Sequence, residues 1–350
     1  MNGSYLQHII ENASVLNWIA ISGIVLIAAL GSWGMARWAY RGGMLDLPNA
    51  RSSHRLPTPR GGGLAVVVAF MLGLGWLQFT ISLDAALLNA LLYGGGGLAC
   101  IGLLDDYYSL RRSWRLLGQF LAAAWALYCL QGVDLVSNLS PLLWWGEQLI
   151  LLIALVWLIN LYNFMDGIDG LAASEAIFVA LAFILLTATA HDVSRVMVML
   201  AAASAGFLLL NWAPARIFMG DSGSCFLGYV LGVCLLASAE QQLLSVWAAL
   251  ILLAVFIVDA TYTLLHRVIR RTRWYEPHCS HAYQRAARRC NSHAVVTLVV
   301  LMLNIGWLLP CAWMASRLPQ WGGVIAVLAI LPLLGLVRRL GAGHETGATY

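Results

Sequence analysis

Lysine is absent from this 350-residue chain. That absence excludes Schiff-base chemistry and a P-loop, both of which use a lysine amine. Charge of either sign is scarce. Only 10% of the residues are charged and 61% are hydrophobic, whereas a soluble domain carries about 25% charge. No polar stretch is long enough to fold alone; the longest covers residues 267–291. The seven cysteines are odd in number, and Cys100, Cys129, Cys225, Cys234 and Cys311 lie in apolar segments. That usage excludes a secreted disulfide framework. Residues 1–14 hold no arginine, so the positive region of a signal peptide is missing and the first apolar run is expected to stay as an anchor.

What the chain has is apolar length. About eleven runs are long enough to cross a bilayer: 15–38, 61–80, 85–104, 114–131, 145–163, 171–190, 195–213, 222–239, 244–266, 292–315 and 321–337. The expected fold is all-α, one integral membrane domain over 1–350. The short connections at 80–85 and 190–195 require tight helical hairpins. With residue 1 outside, only Arg195 and Arg317 fall in outside segments. The positive-inside rule then puts the N-terminus outside and the C-terminus in the cytoplasm of a bacterial inner membrane. Cytoplasmic loops are expected near 39–60, 105–113, 163–170, 214–221 and 267–291. Trp38, Trp76, Trp114, Trp144, Trp145, Trp313 and Trp321 read as an interfacial belt. Gly94 to Gly97 read as a close helix contact.

Carboxylates near a bilayer are costly and usually functional, and here they gather at inside ends. Asp105 and Asp106 close the third run; adjacent carboxylates suit Mg²⁺ or a base beside it, or a solvated end paired with Arg111 and Arg112. Asn160, Asn163 and Asp166 recur every third residue on one broad helix face, with Gly167 and Gly170 expected to end the helix so that Asp169 wraps back. These are hard oxygen ligands suited to Mg²⁺ and substrate phosphates. Asp221 lies between Gly220 and Ser222-Gly223 at a helix start, where it serves as a cap or as a ligand for a metal. Residues 274–285 contain His278, His281 and Arg285, a cluster suited to phosphate. Cys279, His281, Cys290 and His293 follow no standard zinc-finger spacing. The segment Asn49 to Gly63 carries Arg51, His54, Arg55 and Arg60 into Gly61-Gly62-Gly63, whose N–H groups make a plausible phosphate surface or a plain turn. Asp259 lies inside the ninth run and needs a partner; its role stays open.

In this order, Asp105-Asp106, the N-x-x-N-x-x-D-G-x-D-G run at 160–170, G-D-S-G at 220–223 and P-H-C-S-H-A-Y-Q-R at 277–285 resemble the polyprenyl-phosphate N-acetylhexosamine-1-phosphate transferases. The loop and the S-S-H-R-L-P-T-P-R-G-G-G entry look most like the O-antigen-initiating branch. The resemblance covers roughly residues 40–290. It implies transfer of an N-acetylhexosamine-1-phosphate from a UDP-sugar to undecaprenyl phosphate, with UMP released at the cytoplasmic face. It implies Mg²⁺, with Mn²⁺ as a substitute, held by Asn163 and Asp221. Asp105 matches a residue proposed to deprotonate or position the lipid phosphate, and Asp106 supports the metal site beside it. Asp166 and Asp169 match residues near the nucleotide, and His281 matches the loop histidines. Catalytic roles are thus expected of Asp105, Asp106, Asp166 and His281. Substrate contacts are expected of Asp169, Asn160, His278, Arg285 and Arg60. The three-histidine run of the peptidoglycan branch is missing, which disfavours that substrate. Expected partners are the lipid phosphate, the UDP-N-acetyl sugar and the membrane, with no nucleic acid; a homodimer is an allowed assembly. The rival class is a transporter with a cytoplasm-facing anion site. It needs polar groups near mid-membrane, where only Asp259 is found.

Overall fold

The computed structural model describes residues 15–42, 44–47, 57–136, 139–187, 191–272 and 278–344. Arg51, His54, Arg55, Arg273 and the Trp274–Pro277 part of the basic loop lie outside the described residues. The rest is helical: α1 (Val15–Gly42), α2 (Gly63–Ile81), α3 (Ala85–Tyr108), α4 (Arg112–Cys129), α5 (Pro141–Phe164), α6 (Leu171–Thr187), α7 (Asp192–Asn211) and α8 (Asp221–Glu240). Then follow α9 (Val246–Leu252), α10 (Ala254–Ile269), α11 (Ala282–Cys290), α12 (His293–Arg317) and α13 (Gly322–Leu340). Two short strands, β1 (Leu45–Asp46) and β2 (Thr58–Pro59), pair antiparallel before α2.

Helices are what such a sequence must form, because lipid offers no partner to an unpaired N–H or C=O. Local signals set their ends. Ser82 adopts a left-handed conformation after α2, and the Asp84 side chain accepts the Leu87 N–H at the start of α3. The first expected hairpin is therefore present; the second includes residues outside the described set. Ser245 caps α9 and Ser292 caps α12 in the same way as Asp84.

Each expected apolar run has a helical counterpart. Among the described residues, 8 helices are long and apolar enough to cross a membrane, or 9 if α9 and α10, bent by 75° at Leu253, form one span. Helix α6, with 17 residues, and α4, which opens on Arg112 and Arg115, fall short of that measure. The chain is a polytopic α-helical membrane protein, and eleven crossings require α4 and α6 to be two of them.

Helix α8 is the hub: 89% of its apolar window is buried, against 22% for α1. Small residues let three neighbours approach it. A Cβ on Gly63 of α2 would come 2.4 Å from Gly223 Cα, and one on Gly102 of α3 2.6 Å from Ser222 Cα. A Cβ on Gly232 would come 2.3 Å from Leu155 of α5. Of the expected contact glycines at 94–97, Gly94 meets the Tyr229 ring of α8 and Gly95 the Phe226 ring, whereas Gly97 meets nothing within 4 Å. Close backbone approach replaces the hydrophobic effect as the source of packing here. Its consequence is positional. The start of α8 is pressed against the start of α2 and the end of α3.

Candidate functional site

The segment before α2 is laced to the segment before α8. Phe218 N–H donates to the Pro59 carbonyl at 2.8 Å, Gly62 N–H to Phe218 at 2.9 Å and Gly63 N–H to Met219 at 2.8 Å. Gly61 takes φ 98°, a left-handed value that favours glycine. This ladder aims Arg60 at the start of α8. It also corrects an expectation, because the Gly62 and Gly63 N–H groups are spent on backbone carbonyls and are not open to phosphate.

Asp106, at the end of α3, caps α8. Its carboxylate accepts the N–H groups of Asp221 at 3.0 Å and Ser222 at 3.1 Å, and Arg60 at 2.9 Å. The turn into α8 runs through Gly220 at φ 80°, where a Cβ would lie 2.8 Å from that carboxylate. Asp221 is thereby freed from capping its own helix. Its carboxylate accepts Arg60 at 2.9 Å, the Asn163 amide at 3.1 Å and Arg115 at 3.3 Å. Arg115 also bonds Asp105 at 2.8 Å, and Asp105 accepts the Leu110 N–H at 2.8 Å. The same Asn163 amide nitrogen also donates to the Ser224 hydroxyl at 2.9 Å. The Asp106 side chain is fully buried (0% exposed), whereas that of Asp221 keeps 16% exposure. Of the two, Asp221 is the one a ligand can reach.

Helix α5 ends at Phe164, before the glycine expected to end it, so Asp166 leaves the helical face that Asn160 and Asn163 share. The Asp166 carboxylate accepts no hydrogen bond from the described residues. Burial and the charges of Asp221, Asp106 and Asp169 push its pKa well above the usual carboxylate range, against the pull of Arg60. Arg60 is held above its ordinary value: burial opposes its charge, and Asp221 and Asp106 more than offset that.

The structure thus gathers Arg60, Asp105, Asp106, Asn163 and Asp221, with Asp166 close enough to feel their charge. Asn160 is not among them; its amide donates to Gln119 of α4 at 2.6 Å and to the Val156 carbonyl at 2.8 Å. Asp169 holds loops together, with Oδ1 3.1 Å from His293 of α12 and Oδ2 accepting the Ala215 N–H at 3.0 Å. Arg285 is turned to the end of α13, where it donates to the Leu340 carbonyl at 2.8 Å. His281 and His278 stack with ring centroids 5.1 Å apart, and His281 stacks on Phe164 at 6.1 Å. Tyr283 locks this loop onto α5 through its hydroxyl, which donates to the Phe164 carbonyl at 2.8 Å. His281 therefore packs on Phe164, the residue that follows Asn163 in the chain. The charged groups that act on His278 are His281, Arg267 and, in the opposite sense, Asp259.

Arg115 was missing from the expected site. In the sequence it is one more inside arginine, and only its position 10 residues beyond Asp105, across a turn into α4, brings it back.

The donor set fits a divalent cation. Asp105, Asp106 and Asp221 share the guanidinium groups of Arg60 and Arg115, so three carboxylates meet two cations in a half-buried place and one negative charge remains uncompensated. Such a deficit is unstable without a cation. Hard carboxylate and amide oxygens suit Mg²⁺. Among the described residues no three His, Cys, Asp or Glu side chains already form a metal cage; the arginines occupy the carboxylates.

The chain is similar to polyprenyl-phosphate sugar-phosphate transferases. Residues 88–239 match the family model described as glycosyl transferase family 4. A decaprenyl-phosphate N-acetylglucosaminephosphotransferase of Mycolicibacterium smegmatis is 31% identical over 79% of this chain and 78% of its own length. A probable undecaprenyl-phosphate N-acetylglucosaminyl 1-phosphate transferase of Bacillus subtilis is 29% identical over 77% and 76%. A phospho-N-acetylmuramoyl-pentapeptide-transferase of Heliobacterium modesticaldum is 32% identical over 61% and 72%.

Proposed function

Because the chain belongs to glycosyl transferase family 4, the polyprenyl-phosphate N-acetylhexosamine-1-phosphate transferases, we propose that it takes its sugar-1-phosphate from a UDP-N-acetylhexosamine. The acceptor is undecaprenyl phosphate at the cytoplasmic face of the inner membrane. The lipid-linked sugar diphosphate starts O-antigen or another surface polysaccharide. One observation carries this reading. Arg60, Asp105, Asp106, Asn163 and Asp221 converge from four helix ends on one side of the bundle, the side to which the positive-inside reading assigns nearly all the arginines.

Asn163 and Asp221 would hold Mg²⁺, with Asp166 as the nearby carboxyl that accepts no hydrogen bond from the described residues. When bound, the ion neutralises the diphosphate oxygens and draws charge from the breaking bond. Arg60 and Arg115, the two guanidinium groups of the cluster, would donate to phosphate oxygens of the donor. Phosphoryl transfer needs this positioning and charge neutralisation more than covalent help. An oxygen of the lipid phosphate attacks the β-phosphorus of the donor. The bond from that phosphorus to the bridging oxygen breaks, and UMP leaves with the electron pair. Asp105, paired to Arg115, sits where it orients the incoming lipid phosphate. The loop at 277–285 has two separated histidines in place of a three-histidine run, which favours a simple N-acetyl sugar over a muramoyl-pentapeptide donor.

The test uses purified protein in detergent with undecaprenyl phosphate, Mg²⁺ and a panel of UDP-N-acetyl sugars, UDP-N-acetylglucosamine first. UMP release that requires both lipid and metal is the expected result. No UMP from any donor, in protein shown to be folded, overturns the reading.

A further inference from the structure

Asp259 is an acid inside an apolar helix, and nothing in the reaction outlined above uses it. It is buried (3% exposed). The structure gives it three donors: the N–H groups of Ala282 and Tyr283, each at 2.9 Å, and the Thr263 hydroxyl at 3.1 Å. Asp259 therefore caps α11 from another helix, as Asp106 caps α8. The 75° bend at Leu253 means that distance along α10 is not depth in the membrane, so a residue far from the helix end can meet the cytoplasmic loop.

A fourth neighbour goes beyond capping. His281 Nδ1 lies 3.4 Å from Asp259 Oδ1. That nitrogen is buried and makes no hydrogen bond. The His281 ring lies among Phe164, His278 and Tyr283, so it has little freedom to turn elsewhere. A buried imidazole N–H beside a carboxylate is a common way to fix a tautomer and orient the ring.

We propose that Asp259 is a positioning residue that acts through His281. It pins the start of α11 and accepts the Nδ1 N–H of the His281 imidazolium, so that the Nε2 N–H is aimed to donate to a phosphate oxygen of the nucleotide sugar. The proposal rests on the transferase reading, in which the resemblance gives His281 a catalytic role.

The experiment is a double-mutant cycle on the full-length protein. UMP release is measured for wild type, D259N, H281A and the double variant, with kcat and KM separated. H281A should lower kcat by at least about 100-fold, the scale of a positioned proton-bearing group, and D259N by about 10- to 100-fold, the scale of a partner that orients a histidine. The double variant should be no slower than H281A, because residues acting as a unit are not additive. Losses that multiply, or D259N turnover within about twofold of wild type, overturn the proposal. If D259N does not yield monodisperse protein, the cycle is run with Thr263→Val, which loosens Asp259 and keeps its charge. A second readout is independent of turnover. Carbethoxylation of His281 by diethyl pyrocarbonate, mapped by mass spectrometry, should speed up several-fold in D259N. An unchanged rate rejects the dyad even if no donor is turned over, whereas a silent wild type with a faster D259N rate rejects only the transferase reading.

Discussion

Two carboxylates that share Arg60 are fixed in different ways, and the difference is measurable. Asp106 accepts two backbone N–H groups and is sealed, so its loss is paid in structure. Asp106→Asn turns an amide N–H₂ toward one of those donors and should cost about 1–3 kcal/mol of stability. Asp221 accepts only side-chain donors and stays accessible. Asp221→Asn should leave thermal unfolding in detergent nearly unchanged and lower UMP release by at least about 100-fold, the scale of a lost electrostatic contact to the transition state. Equal turnover in D221N would remove it from the site. His278 makes a third case. Burial, with His281 and Arg267 adding positive charge, pushes its pKa down to about 3, from about 6.5 in the unfolded chain. Between those values the unfolded state binds a proton that the folded loop excludes. Stability should therefore be complete above about pH 6.5 and fall as the pH drops toward 3. His278→Gln should flatten that slope in unfolding scans from about pH 7 to 5; an unchanged slope assigns it to other groups.

At the scale of elements, the site exists because α8 can be approached closely. Gly223 faces Gly63 and Met219, and a Cβ there would lie 2.5 Å from Gly63 Cα and 2.4 Å from Met219 Cγ. Gly223→Val should push α2 and α8 apart and destabilise the protein by about 1–3 kcal/mol, with turnover lost in parallel. Gly97→Ala, which meets nothing within 4 Å, should change neither thermal unfolding nor UMP release. The sequence made the helices legible because apolar length is a local signal. It showed Asp105, Asp106, Asn163 and Asp221 as a set because they lie at the ends of such runs. It could not show which carboxylate caps and which binds, since that depends on which helix starts are pressed together. Asn160, one turn from Asn163, looks equivalent in the sequence, but the Gln119 side chain on α4 claims it. Arg115 and the Asp259–α11 contact were hidden for the same reason: both partners come from different elements.

For the molecule as a whole, the open quantity is the number of crossings. The carboxylate cluster, the His278–His281 loop and the end of α13, where Arg285 meets the Leu340 carbonyl, are linked through one end of the bundle. A chain with α1 entering toward that end and α13 finishing there crosses an odd number of times. Counting α4 and α6 as crossings, and α9 with α10 as one, keeps nearly all arginines on the side of the cluster; dropping either helix alone reverses everything beyond it. Arg115 at the start of α4 meets Asp105 at the end of α3, while Trp125, later in α4, donates to the Asn89 carbonyl near the start of α3 at 3.1 Å. Helix α4 thus runs back along α3, as a crossing must. The expected topology is N-terminus outside and C-terminus in the cytoplasm. A fluorescent protein fused after residue 350 should therefore mature in intact cells, and alkaline phosphatase at the same place should stay inactive. A cysteine placed at Arg317 should react with a membrane-impermeant maleimide from outside, whereas one placed at Arg289 should react only after the cells are opened. The reverse pattern would put the carboxylate cluster on the face away from cytoplasmic nucleotide sugars, and the proposed donor would fall with the topology.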